Sequence, residues 1–174
     1  MVRALPIAMA LFTAVLPASG QSRTPSFLDD TADPTRFETQ HLLARVEGTV
    51  RVGEDGRGAV TLAVTPRAKM HVYAADAAGY VPFTLRVEPA TSFTVGRATY
   101  PQAEIYVFPP TGESSRVYIK PFKVTQAFVL TSAAQRTLAA TGTVAGVAQI
   151  RYQACDDRVC YRPTSGVVSF DIVR

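Results

Sequence analysis

The most regular feature of the chain is an alternation of apolar and polar positions. In ARVEGTVRV, Ala44, Val46, Gly48, Val50 and Val52 fall on one side and Arg45, Glu47, Thr49 and Arg51 on the other, which is the period of a strand with one buried face. The turn-rich GEDGRG follows, and AVTLAV then places Val60, Leu62 and Val64 on a common face, so this stretch predicts a β-hairpin. Gly53, Gly56 and Gly58 are read as turn residues, because a phosphate-binding loop would open a helix and no helical period follows them. Further short strands are predicted at 71–74, 84–89, 93–98, 104–108, 116–119, 122–131, 142–154 and 166–173, separated by the Pro and Gly signals AAGYVP, YPQ, PPTGESS and RPTSG. Many short strands at this spacing, with almost no helical period, predict an all-β protein, an immunoglobulin-like antiparallel β-sandwich.

The N-terminus departs from that pattern. MVRALPIAMALFTAVLPASG carries one charge at Arg3, an apolar run from Ala4 to Val15 and small residues up to Gly20. This is the order of a secretory signal cut after Gly20, and the run is shorter than the roughly 20 residues of a spanning helix. Residues 21–40 read as a polar, mobile arm with a short turn of helix near DPTRFE, and 41–174 as one domain. An exported chain without membrane insertion after cleavage is expected. Of the 18 basic and 14 acidic residues only Arg3 lies in the signal. The remaining basic residues are scattered, which gives nucleic-acid binding no support.

Export gives the two cysteines their weight, since oxidising compartments form and keep disulfides. In YQACDDRVCYRP, Ile150, Tyr152 and Ala154 share one strand face and Arg151, Gln153 and Cys155 the other. Asp156, Asp157 and Arg158 form a polar turn, and the return strand carries Cys160. Such a hairpin brings its ends within about 5.5 Å between Cα atoms, which a disulfide can span. Closing a loop of about six residues removes only about 2 kcal/mol of unfolded-state entropy, a small return for a domain long enough to build a full core. Acidic and basic neighbours pull a thiolate in opposite directions. On spacing alone the pair reads as a staple or as a redox dithiol, the staple being commoner in secreted domains.

YQACDDRVCYRP resembles the active-site hairpin of the N-terminal periplasmic domain of the thiol:disulfide interchange protein DsbD. The likeness runs through Tyr152, Gln153, Ala154, Cys155, Asp156, Asp157, Cys160, Tyr161 and Pro163. MHVYAADAAGYVPFTLRVEP (70–89), YPQAEIYVF (100–108) and GESSRVY (112–118) are similar to further segments of that family, so the resemblance spans roughly 40–174. It implies an immunoglobulin-like sandwich in the periplasm whose cysteine pair, here Cys155 and Cys160, alternates between dithiol and disulfide, with Cys160 as the attacking thiol. It implies a membrane electron donor and periplasmic thioredoxin-like or other disulfide-containing acceptors, and no cofactor or metal beyond the disulfide itself. An aromatic cap over the sulfurs is also implied, for which Phe108 is the first candidate and Tyr106 the second. His71, Tyr73, Tyr152 and Tyr161 are candidates for the cap or docking surface.

Two features set this chain apart from the family pattern. Four residues separate the cysteines, and the chain closes within one further strand, with neither a transmembrane segment nor a CxxC domain after it. A free-standing module with a separately encoded donor is therefore expected. Two other readings stay open at this level: a non-catalytic immunoglobulin-like binding module braced by a structural disulfide, and a Cu(I)-handling protein using Met70, His71 and the cysteines as soft ligands.

Overall fold

The computed structural model describes residues 33–77 and 79–174. The signal segment and the first part of the arm, through residue 32, lie outside the described residues. Strands β1 (Arg36–Glu38), β2 (Leu42–Val46), β3 (Val50–Arg51), β4 (Arg57–Pro66), β5 (His71–Tyr73), β6 (Thr84–Glu88) and β7 (Phe93–Thr99) come first. They are followed by β8 (Glu104–Phe108), β9 (Glu113–Tyr118), β10 (Phe122–Leu130), helix α1 (Ser132–Thr141), β11 (Val144–Tyr152), β12 (Ala154–Cys155) and β13 (Thr164–Val173).

Two sheets make the immunoglobulin-like sandwich, β1-β2-β4-β10-β7 on one side and β3-β13-β11-β6 on the other. The alternation read from sequence is what buries their inner faces. Val60, Leu62, Val64, Val124 and Phe128 from the first sheet join Leu85, Val87, Ala148, Ile150, Val168 and Ile172 from the second in one core. Among the described residues strand pairing is antiparallel except where β3 runs parallel to β13, Val50 facing Ile172.

Three elements depart from the sequence reading. The unbroken alternation of 44–52 predicts one strand, but the chain turns at Gly48, whose φ of +67° suits glycine. It thereby crosses from β2, paired with β4, to β3 in the opposite sheet. A helix occupies 132–141, with Thr131 Oγ1 accepting from Ala134 N at the N-cap and Gly142 left-handed at the C-cap. Around DPTRFE there is a turn, Arg36 N donating to Asp33 O at 3.2 Å, and then strand β1 paired with β2, so this part of the expected arm is a sheet edge.

A third, smaller sheet, β12-β5-β9-β8, positions the cysteines. One of its faces is continuous with the main core through Val72, Tyr118 and Ala154. The other face carries a separate cluster of Tyr73, Val117 and Cys155.

Candidate functional site

Cys155 and Cys160 are bonded, S–S 2.02 Å, with Cα atoms 4.0 Å apart. The backbone explains that closeness. Asp156 N donates to Val159 O and Tyr161 N donates to Ala154 O, at 3.0 and 2.9 Å. Cys155 and Cys160 therefore form a non-hydrogen-bonded antiparallel pair, the kind in which opposite residues approach most closely. The separation is smaller than the 5.5 Å expected because that value belongs to the hydrogen-bonded kind of pair. Asp156 builds the turn: its Oδ1 accepts from Arg158 N and Val159 N, both at 2.8 Å, and its Oδ2 accepts from Tyr161 Oη at 2.9 Å. These hydrogen bonds hold its carboxyl below the usual range.

The two sulfurs have different surroundings. Cys160 is exposed, whereas Cys155 is wholly buried. Tyr73 from β5 places its Oη 3.2 Å from Cys155 Sγ and 3.5 Å from Cys160 Sγ. His71 stands opposite Cys155 in the β5–β12 register. Its ring meets that of Tyr106 at 4.2 Å and that of Tyr73, edge-on, at 5.8 Å. Tyr106 reaches across from β8 and donates to Asp157 Oδ1 at 2.7 Å, tying the β8–β9 hairpin to the cysteine turn. Burial and Asp157 together push the Tyr106 phenol up to about 12.

The candidate residues separate by location. Tyr73, His71 and Tyr106 converge on the disulfide. Phe108 sits at the tip of the same hairpin, half-buried, and its carbonyl accepts from Gly112 N at 2.8 Å. The partly buried side chains packed on the Cys155 cluster are Ala77, Tyr80 and Tyr106, and Phe108 is not among them. Tyr161 flanks the turn, its ring 4.4 Å from that of His41. Tyr152 requires a correction. It is completely buried in the main core, its Oη 2.9 Å from Thr39 Oγ1, because the alternation that aims Cys155 at the site aims Tyr152 away from it; it presents no docking surface. Among the described residues no group of three or more His, Cys, Asp and Glu side chains converges on a point that could hold a metal ion.

Tyr80 and Glu113 were not legible as site residues, and Gln153 was legible only as part of the hairpin likeness. Gln153 accepts from Val81 N at 3.2 Å and donates to Tyr161 O at 3.1 Å, clamping the loop that carries Tyr80 against the hairpin. The Tyr80 ring then lies 3.9 Å from that of Tyr73 with 4° between planes, and its hydroxyl donates to Glu113 Oε2 at 2.9 Å. The only sequence signal for this arrangement was the Gln beside Tyr152, a long amide next to a cysteine hairpin.

The family model for the N-terminal region of thiol:disulfide interchange protein DsbD matches residues 39–172. The chain belongs to the DsbD N-terminal family. Together with the bonded pair, this membership makes thiol-disulfide exchange the general chemistry of the site. The N-terminal periplasmic domain of ScsB from Proteus mirabilis is similar in fold, with a TM-score of 0.56 at 16% identity, over 80% of this chain and 51% of that one. This chain thus spans about half the length of the ScsB domain. The reduced N-terminal domain of Neisseria meningitidis DsbD is 21% identical over 86% of this chain and 94% of its own, with a TM-score of 0.44. No individually curated protein gives a significant match. Among the described residues no helix is long and apolar enough to cross a membrane.

Two histidines give this DsbD-family domain a pH dependence. His71 and His41 are 2% and 7% exposed. Burial holds both imidazoles below their ordinary value, partly offset at His71 by Asp157 and Asp156. The unfolded chain takes up these protons near the ordinary imidazole value of about 6.5 and the native chain only below it, so stability is full above that value and falls as pH drops through the native ones. The urea midpoint is expected to decline between about pH 7.5 and 5.5, and His71→Phe to flatten the decline. A midpoint constant over that range would contradict this assignment.

Proposed function

We propose that the protein is an exported, periplasmic thiol-disulfide exchange module. Cys155 and Cys160 take two electrons from a membrane-embedded thiol donor and pass them to thioredoxin-like or other disulfide-containing proteins, with no cofactor beyond the disulfide. The observation that carries this reading is the asymmetry of the pair, Cys160 an exposed residue at the end of the turn and Cys155 buried with its sulfur against Tyr73. A bond serving only as a brace has no use for an accessible sulfur, whereas exchange requires in-line access to one sulfur and a protected leaving group on the other.

In the reduced protein the Cys160 thiolate attacks the acceptor disulfide and forms a mixed disulfide. Cys155 then attacks Cys160 Sγ, closing the intramolecular bond and releasing the acceptor as a dithiol. The β8–β9 hairpin, fastened through Tyr106 and Asp157 and ending at Phe108, acts as the cap that a docking partner lifts. Reduced protein mixed with an oxidised thioredoxin-fold protein is expected to lose both of its thiols as the partner gains two, read by the mass added on alkylation. Retention of both thiols by the starting protein would contradict the proposal.

A further inference from the structure

Opening this disulfide creates a charge in a place without water. An incoming thiolate attacks at Cys160, the exposed residue of the pair. The new bond forms there, the Cys155–Cys160 bond breaks, and its electron pair leaves on Cys155 Sγ as a thiolate. Cys155 is fully buried, and the neighbouring carboxylates of Asp156 and Asp157 add like charge nearby. Both effects disfavour the anion. The same anion forms in the reverse direction, when Cys155 resolves a mixed disulfide. Something must supply the stabilisation that solvent does not.

One donor stands beside that sulfur. Tyr73 Oη is 3.2 Å from Cys155 Sγ, and its residue is 3% exposed. Tyr80, stacked on its ring, commits its only proton to Glu113 and so does not donate to Tyr73. Burial, a hydrogen bond that Tyr73 shares with Tyr80 as donor, and the negative charges of ionised Tyr80 and of Glu113 all push the Tyr73 phenol up. The hydroxyl therefore keeps its proton and meets the sulfur as a donor, not as a base.

We propose that Tyr73 is a catalytic residue, the hydrogen-bond donor that carries the charge of the Cys155 thiolate, and that Tyr80 and Glu113 are positioning residues that hold its ring. This deepens the exchange reading and rests on it. A donor aimed at the charged form lowers the thiol's pKa, and a leaving thiol of lower pKa departs faster. The proton balance closes through solvent: the attacking thiol releases one proton on ionising, and Cys155 takes one up after the bond has opened.

The test uses Cys160→Ala, which leaves Cys155 as the single thiol, titrated through the Cβ chemical shift of isotope-labelled cysteine. Adding Tyr73→Phe keeps the ring and removes the donor. The Cys155 pKa is expected to rise by about one to two pH units. In the chain with both cysteines, Tyr73→Phe is expected to slow reduction by dithiothreitol about tenfold to a hundredfold. Tyr80→Phe should give a smaller part of the same rise; a value equal to that of unmodified Tyr80 would overturn the positioning role. An unchanged Cys155 titration with Tyr73→Phe would overturn the proposal for Tyr73. That titration needs no turnover, so a clear rise accompanied by failure to exchange with a thioredoxin-fold protein would count against the exchange reading alone.

Discussion

Replacing Cys160 with alanine is expected to abolish thiol-disulfide exchange, whereas Cys155→Ala is expected to halt it after the first bond has formed. The difference follows from the hairpin. Cys160 lies on the exposed turn and Cys155 beneath Tyr73, so only Cys160 meets the partner's sulfur. Without it no mixed disulfide forms, and the rate falls to that of the uncatalysed background. Without Cys155 the mixed disulfide forms and has no internal thiol to resolve it, so it accumulates as a covalent adduct with the oxidised partner. Non-reducing electrophoresis followed by mass spectrometry of the adduct reads the result. Adducts through Cys155 in the Cys160→Ala protein would reverse the assignment of the attacking sulfur.

The second large effect is on stability. Phe83→Ala is expected to cost about 3–5 kcal/mol of unfolding free energy, a large fraction of the roughly 5–15 kcal/mol that holds an ordinary domain together. Phe83 is fully buried, meets Phe122 edge-on at 5.3 Å and lies 6.3 Å from the Tyr152 ring. Its backbone N donates to Tyr73 O at 2.8 Å. The substitution thus opens a cavity under the main core and loosens the loop that carries Tyr80 to the site. Urea unfolding measures it, and a loss below about 1 kcal/mol would show that the core can collapse around the missing ring.

Strand positions were legible because a half-buried sandwich writes its faces as alternation, and the sequence reading of β8 at 104–108 coincides with the strand. The exchange of sheets at Gly48 was hidden because alternation continues across it: both β2 and β3 bury the same parity of residues, only against opposite sheets. Helix α1 was missed for a different reason. It buries only Ala134 and Leu138, too narrow a stripe to register as a period, although its caps Thr131 and Gly142 stand in the sequence. The cysteine turn and the pairing of Cys155 with Cys160 were legible, but the expected return strand is only an isolated bridge at Cys160. The surroundings of the sulfurs were legible only in part. Tyr73 and His71 share a strand with a clear face, but Tyr80 arrives from a loop, and its stack on Tyr73 is a contact between segments that carries no periodic signal. Tyr152 shows the converse limit, since nearness in sequence to a functional cysteine does not survive the flip of one residue along a strand.

On the exchange reading, the bond between Cys155 and Cys160 is made to be opened. Its reduction potential, measured by equilibrating the protein with glutathione or dithiothreitol buffers and counting free thiols, tests this most directly. A value above about −300 mV, within reach of biological thiol couples, is the predicted result. A value well below that, with the bond surviving every such buffer, would mark a structural staple and contradict the account.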